Sequence, residues 1–452
     1  MTILSAESFL ESLIDYEKSG NFSAENFTLG RIERLLALLG NPHRHLKIIH
    51  VAGSKGKGST CAMAACILAK AGYKVGLYTS PHLNHYRERI RVLGGVQKNN
   101  QGIFPDSITQ EELDTCLQEI IPAAQAVISQ EDQGGLTFFE TCTALALYYF
   151  RKLRVDFVVL ETGLGGRLDA TNAVDSMVCA VTPISLEHTQ LLGGTLEKIA
   201  AEKAAIIKNK TQKVVIAQQP ENARTVFDDR CRQFGITSSY MAVDARTFVE
   251  ERSPESQTVT ITTTQNNYPH LRLFLIGDHQ LLNAKAAIGI IEELRALGHK
   301  IDDTAVYEGL AGVFWPGRFE IIQRNPTIVL DGAHNNSSAA MLANTFEQTF
   351  PHKKATVVVG ISEDKDKVSV CRELNRVADK VIATKADHPR SASWAEEELK
   401  EYFVGKDSYL TKDVRQALAK AKELTAQDGF IVVAGSLFVV SEARRICINS
   451  KG

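Results

Sequence analysis

The most legible chemistry in the sequence lies in eight consecutive residues, Gly53-Ser54-Lys55-Gly56-Lys57-Gly58-Ser59-Thr60. Glycines let successive backbone N–H groups converge on a polyphosphate, and a helix starting here would add favourable partial charge. Lys57 can neutralise β and γ oxygens, while Ser59 or Thr60 can bind a phosphate or its magnesium. Gly58 separates the lysine from the hydroxyl, a departure from the usual G-x-x-x-x-G-K-[ST] order. A second candidate is Glu161, which ends the apolar run Val155-Asp156-Phe157-Val158-Val159-Leu160. Open α/β sheets hold their ligands at the carboxyl ends of their strands, and a carboxylate facing a phosphate loop there is a natural magnesium ligand.

These residues need a framework, and the chain supplies one by alternating short β-branched runs with longer helical patterns, as in a parallel sheet with crossover helices. Residues 47–52 read as a strand breaking into the glycine-rich turn, and 59–71 as a helix stopped by Gly72. Further strands are expected at 75–78, 155–160, 177–181 and 214–217, with a helix over 139–153. Alternation over 258–264 and 271–276 predicts an antiparallel excursion. After Trp315-Pro316-Gly317-Arg318 a second series begins, with strands at 327–330, 355–359, 381–384 and 430–434. A chain of 452 residues is too long for one core. We therefore expect an α/β protein: a phosphate-loop-containing, mostly parallel sheet domain over 1–313 and a smaller C-terminal Rossmann-like α/β domain over 314–452.

Composition narrows the class further. Hydrophobic residues make up 44% and charged residues 23%, ordinary values for a soluble globular protein. A net charge of −2 and a pI of about 6.7 give no broad basic field for nucleic acid or an anionic membrane. No apolar run reaches the roughly 18 residues a membrane span needs. The stretch 1–20 carries Glu7, Glu11, Asp15 and Glu17 and does not read as a signal peptide. The eight cysteines form no C-x-x-C pair, which favours buried reduced thiols and a cytoplasmic location.

A loop of the form G-x-x-G-K-G-S resembles that of the Mur ligase superfamily, and in particular the folylpolyglutamate synthase and dihydrofolate synthase family. Further segments resemble the same family in order: Thr79-Ser80-Pro81-His82-Leu83, Glu88-Arg89-Ile90-Arg91, Thr137-Phe138-Phe139-Glu140, and Glu161 through Asn172. Glu187-His188-Thr189, Glu202-Lys203-Ala204, Asp278 through Ala284, Pro316 through Glu320 and Asp331-Gly332-Ala333-His334-Asn335 follow. Departures include Ser54-Lys55 where the family usually has Thr-Asn, Glu187 for a common aspartate, Gln190 for aspartate and Ala205 for glycine.

The resemblance implies ATP and magnesium as cofactors, with Gly56, Lys57, Gly58, Ser59, Thr60, Asn283, Arg318 and Asp331 around the nucleotide. It implies Ser80, Glu161 and His188 as metal ligands, and Lys57, Glu161, His188 and Lys203 in the catalytic machinery. Thr137, Phe138, Phe139, Glu140, Leu168, Asp169 and Ala170 would line a folate site. By spacing alone Lys203, with Glu197 and Glu202 nearby, reads as a solvated helix lysine; the resemblance implies a carbamylated one. Asp278 reads as a helix N-cap. In isolation Arg318 could sit on a turn and Asp331 could cap the following helix. Arg390, in Asp387-His388-Pro389-Arg390, is either a surface-loop residue or the holder of the glutamate α-carboxylate, which suits a bidentate guanidinium. The implied reaction is ATP-dependent addition of glutamate to dihydropteroate, to a reduced folate, or to both, by a cytoplasmic monomer. Alternatives are a Mur-type ligase for another carboxylate acceptor, a nucleotide-hydrolysing switch, and a non-enzymatic nucleotide-binding module.

Overall fold

The structure, a computed structural model, describes residues 6–20, 26–95, 102–130 and 135–449; residues 1–5 of the N-terminal stretch lie outside it. Seven strands form the first sheet: β1 (Ile48–Ala52), β2 (Val75–Tyr78), β3 (Ile90–Leu93), β4 (Phe157–Glu161), β5 (Val178–Val181), β6 (Lys213–Ile216) and β7 (Ser238–Tyr240). Their order is β3-β2-β4-β1-β5-β6-β7, parallel except for β3 against β2. The five central strands are almost wholly buried because helices cover both faces, which explains their continuous apolar runs.

β1 lies between β4 and β5, and the chain crosses outward from it on both sides. That is the topological switch point where open sheets place their ligands. The phosphate loop leaves β1, Glu161 ends β4, and the 182–188 segment leaves β5. All three are therefore at one end of adjacent strands.

One face is covered by the helices Lys57–Lys70, Asp278–Ala296 and Asp303–Ala311, which share a core with a three-stranded antiparallel sheet, β8 (Ala245–Arg252), β9 (Gln257–Thr263) and β10 (Asn267–Leu273). The opposite face carries Gly30–Leu38, Gln110–Ile128 and Phe138–Lys152. The third sheet contains β11 (Glu320–Gln323), β12 (Thr327–Leu330), β13 (Ala355–Val359), β14 (Ala378–Ala383), β15 (Asp407–Leu410) and β16 (Phe430–Ala434). Its order is β11-β12-β16-β13-β14-β15, parallel apart from β11, with an apolar core on each face. The α/β architecture with mostly parallel sheets agrees with the sequence expectation.

Two local expectations need correction. The helix expected from residue 59 begins at Lys57, because Gly56 takes a left-handed backbone (φ +84°) and itself serves as N-cap. Asp278 is not the N-cap of its helix; Gly277 is, and the Asp278 carboxylate instead meets Arg252 and Gln348. All eight cysteines are free thiols, seven of them buried. Among the described residues no helix is long and apolar enough to cross a membrane.

Candidate active site

The phosphate loop is clamped from two sides. Gly53 has φ +148°, and a Cβ there would collide with Thr182; a Cβ on Gly56 would overlap Asn283. The backbone N–H groups of Ser54 and Lys55 both donate to the Pro183 carbonyl at 3.1 Å, and Ser54 Oγ donates to Ser185 O at 3.1 Å. Lys57, the first helical residue, donates its Nζ to Gly53 O at 3.1 Å. The same carbonyl accepts Lys203 Nζ at 2.9 Å. Asn283 is buried and bonds Gln280. Ser59 and Thr60 are buried in the first turn.

Lys203 is only 2% exposed, so the solvated reading is overturned: its helix, Leu196–Ala204, presents it inward to Gly53 and to Glu187 Oε1 at 3.1 Å. Lys55 Nζ lies 3.9 Å from the other Glu187 oxygen. Burial pushes the Glu187 carboxyl up, but Lys203, Lys57 and Lys55 outweigh it and hold it at about 2. Burial pulls the Lys203 ammonium down to about 8, against the attraction of Glu187. His188 has left-handed backbone (φ +47°), and burial lowers its pKa to about 4 despite the adjacent Glu187.

Glu161 is buried at the end of β4 and faces the start of the Lys57 helix. A Cβ on Gly58 would sit 3.4 Å from its Oε2. Oε2 accepts the Ser80 N–H at 3.0 Å. Burial raises this carboxyl to about 7, with Lys57 opposing. Ser80 and Glu161 are thus together, whereas His188 is placed among Glu187, Lys203 and Lys57.

Beneath Glu161 lies a network absent from the sequence expectations. His50, buried in β1, has Nε2 2.8 Å from Thr171 Oγ1 and 3.0 Å from Thr162 Oγ1. Thr171 donates to Asp169 Oδ1, whose Oδ2 accepts the Leu164 N–H at 2.7 Å. Asp169 therefore shapes the 163–172 loop, with Ala170 buried and Leu168 half-buried beside it. The sequence signal for His50 was a lone polar residue inside an otherwise apolar strand.

Thr137 and Glu140 form a reciprocal helix cap, and Glu140 also takes Arg31 Nε at 3.0 Å. Phe138 lies under the Arg89 guanidinium, and the Phe139 ring lies against Gly163. From the other sheet, Asp331 Oδ2 accepts Phe319 N–H and Oδ1 accepts Ala333 N–H, both at 2.8 Å; the following helix is capped by Asn335 instead. Arg318 lies close enough to lower the carboxyls of both Asp331 and Glu161 against the effect of burial. A cleft lined by Thr79, His82, Phe104, Trp315 and Arg318 runs between the two parts of the molecule.

Arg390 is partly buried. Its Nη1 donates to the Glu17 carbonyl at 2.8 Å and its Nη2 to Asp364 at 2.6 Å, while Nε has no hydrogen bond among the described residues. The Glu17 carboxylate pairs with buried Arg89, which also donates to His82 Nδ1 at 3.0 Å. The short helix Tyr16–Ser19 thus touches both parts of the molecule.

A phosphate loop at the switch point, a facing buried carboxylate and a second α/β sheet carrying Arg318 and Asp331 define a two-part ligase of the Mur type. Residues 115–291 match the Mur ligase middle domain and residues 317–437 the Mur ligase glutamate ligase domain. The chain is 35% identical over 421 residues to the dihydrofolate synthase/folylpolyglutamate synthase of Bacillus subtilis, covering 92% of this chain and 94% of that one. It is 33% identical to the Escherichia coli protein of the same name, covering 97% of each. Among solved structures, Mycobacterium tuberculosis folylpolyglutamate synthase complexed with ADP and AMPPCP superposes with a TM-score of 0.83 at 30% identity, over 93% of this chain and 95% of that one. E. coli FolC in complex with DHPP and ADP gives 0.82 at 29%, over 100% and 99%. The chain belongs to the dihydrofolate synthase/folylpolyglutamate synthase family, whose members are ATP-dependent amide-forming ligases.

Proposed function

We propose that this protein adds L-glutamate, with ATP, to dihydropteroate and to reduced folates. The observation that carries the reading is the convergence of the Lys57 loop and buried Glu161 at the ends of β1 and β4, in a chain similar along nearly its whole length to enzymes of that name. A substrate carboxylate attacks the γ-phosphorus, releasing ADP and forming an acyl-phosphate. The glutamate amine then attacks that carbonyl carbon, phosphate leaves, and the amine loses a proton. Lys57 and the loop N–H groups neutralise and orient the phosphates, so positioning and charge compensation account for most of the acceleration.

Among the described residues no group of three acidic, His or Cys side chains forms a ready metal cage. Magnesium bound mainly through phosphates with one or two protein oxygens fits such a site, and buried Glu161, a hard oxygen donor beside the loop, suits it. Glu161 and Ser80 would hold the ion, with His188 as the third residue proposed for it. Its charge would screen the developing negative charge on the phosphates. We also assign Lys203 as the site of carbamylation: its depressed pKa leaves free amine for CO2, and Lys57 and Lys55 would counter the resulting anion.

The folate is assigned to the surface formed by Thr137, Phe138, Phe139, Glu140, Leu168, Asp169 and Ala170. Here the two rings supply contact, and the capped Thr137–Glu140 pair fixes their helix. Gly56, Gly58, Ser59, Thr60, Asn283, Arg318 and Asp331 surround the nucleotide, and Arg390 is assigned to glutamate through its unmatched Nε edge. The division at 313/314, supported by the matched regions 115–291 and 317–437, puts ATP between two closing domains of a cytoplasmic monomer. Closure would exclude the water that destroys an acyl-phosphate.

The test is ATP-dependent incorporation of labelled glutamate with dihydropteroate and with tetrahydrofolate, in wild type and in Arg390→Ala. We expect both acceptors to be labelled, and the variant to raise KM for glutamate about tenfold without changing KM for ATP. Labelling of neither acceptor by folded, ATP-binding protein would overturn the folate assignment.

A further inference from the structure

We propose that Lys55 is a second phosphate-loop lysine that binds the terminal phosphates of ATP, held ready by Glu187. The inference rests on the ATP-dependent reading above and adds a residue to it. Two departures from the family pattern, Lys55 and Glu187, turn out to face each other. They do so incompletely. Lys55 Nζ is 3.9 Å from Glu187 Oε2, an ion pair longer than a hydrogen bond, while Lys203 holds the other oxygen at 3.1 Å. The Lys55 side chain is 18% exposed, and an ammonium carries three donors, so this environment desolvates it without giving it a close acceptor among the described residues.

The surrounding charge has one sign in excess. Lys57, Lys203 and, from the third sheet's side, Lys365 all repel Lys55, and Glu187 alone of its principal electrostatic neighbours attracts it. With Lys203 uncarbamylated, three loop-proximal ammonium groups bracket a single carboxylate, and with Lys203 carbamylated Lys55 and Lys57 remain the ammonium groups beside the loop, free to meet a polyanion. Meanwhile the Lys55 backbone is pinned, its N–H on Pro183 O beside that of Ser54. The side chain can therefore swing from Glu187 to a phosphate without moving the loop. His334, which follows β12 of the third sheet, feels the Lys55 charge, so the ammonium lies on the side that faces that sheet. An asparagine at this position could donate a neutral hydrogen bond but could not neutralise a phosphate charge.

The test uses the full chain and its Lys55→Asn and Lys55→Arg variants. Calorimetry gives Kd for the β,γ-methylene analogue of ATP, for ADP and for AMP. Lys55→Asn should weaken the triphosphate analogue about tenfold and leave AMP within about twofold, and Lys55→Arg should stay within about threefold of wild type throughout. Equal loss for all three nucleotides, or none, would overturn the proposal, since a purely structural Lys55–Glu187 pair makes no distinction by phosphate number. A second measurement needs no variant: amine acylation of wild type, mapped by peptide mass, should find Lys55 protected by the triphosphate analogue and not by AMP. Labelling of Lys55 that ignores the analogue would overturn the proposal. Both readouts are binding alone, so protein that binds the analogue yet incorporates no glutamate would sink the ligase reading and not this one.

Discussion

His50 shows how a single side chain can organise a site it does not enter. Burial holds its imidazole neutral, with a pKa near 3, and its Nε2 sits between Thr162, directly after Glu161, and Thr171, which fixes Asp169. His50→Leu should leave the buried Thr162 hydroxyl unmatched and Thr171 with Asp169 alone, and cost about 1–3 kcal/mol in urea unfolding. It should also lower kcat more than it changes KM for ATP, because it disturbs the carboxylate and not the loop. His50→Gln, which keeps a polar tip, should recover part of both; unchanged stability in the leucine variant would refute this role. Legibility differs sharply between residues of this site. Glu161 could be read from the sequence because it ends an apolar strand, a local pattern with a general meaning. Lys203 could not: its neighbours Glu197 and Glu202 suit a wet helix face, and what buries it is a carbonyl 150 residues earlier, at Gly53.

At the level of elements, every strand absent from the sequence expectation lies at a sheet edge: β3 and β7, β8, and β11 and β15. Central parallel strands are buried on both faces and read as apolar runs, but an edge strand pairs on one side only. Its residues are mixed: β7, β11 and β15 contain no fully buried residue. The strands that carry the site, β1, β4 and β5, are all central, which is why the site was more legible than the sheet borders. Helix placement depends on close approach that composition does not announce. A Cβ on Gly309, in the helix Asp303–Ala311, would lie 2.5 Å from Ile67 Cα in the helix that begins with Lys57. Gly309→Ala should therefore destabilise the protein by about 1–3 kcal/mol, although alanine normally favours helices. By tilting the Lys57 helix it should also raise KM for ATP. Denaturant unfolding together with ATP kinetics checks this, and an increase in stability would show that the two helices separate freely.

For the whole molecule, the connection between the first and third sheets is itself part of the cleft. Trp315 packs on Phe104 with ring centroids 5.7 Å apart, and Phe104 stacks under Arg91 at 3.9 Å. The Trp315 ring also lies 3.0 Å from where a Gly58 Cβ would be, so it touches the phosphate loop. The chain has two tryptophans, and the other, Trp394, bonds Thr384 O within the C-terminal part. Titration with the triphosphate analogue should shift the emission of wild type and of Trp394→Phe, and leave Trp315→Phe nearly silent. A shift that survives Trp315→Phe would assign the signal to the other ring and remove the evidence for closure at this connection.

The short helix Tyr16–Ser19 adds a second attachment across the cleft, since Glu17 binds Arg89 through its carboxylate and Arg390 through its carbonyl. Ser441 donates to Asn84 at 2.6 Å on the same boundary, a single side-chain bond that would have to break for the two parts to swing. A body joined to another at one flexible point can pivot about three axes. Joined at two separated points, it turns chiefly about the line through them, like a door on two hinges. If the two parts close on ATP as proposed, the search would be largely one-dimensional, and each swing would return Arg318 and Asp331 to the same position relative to the phosphate loop.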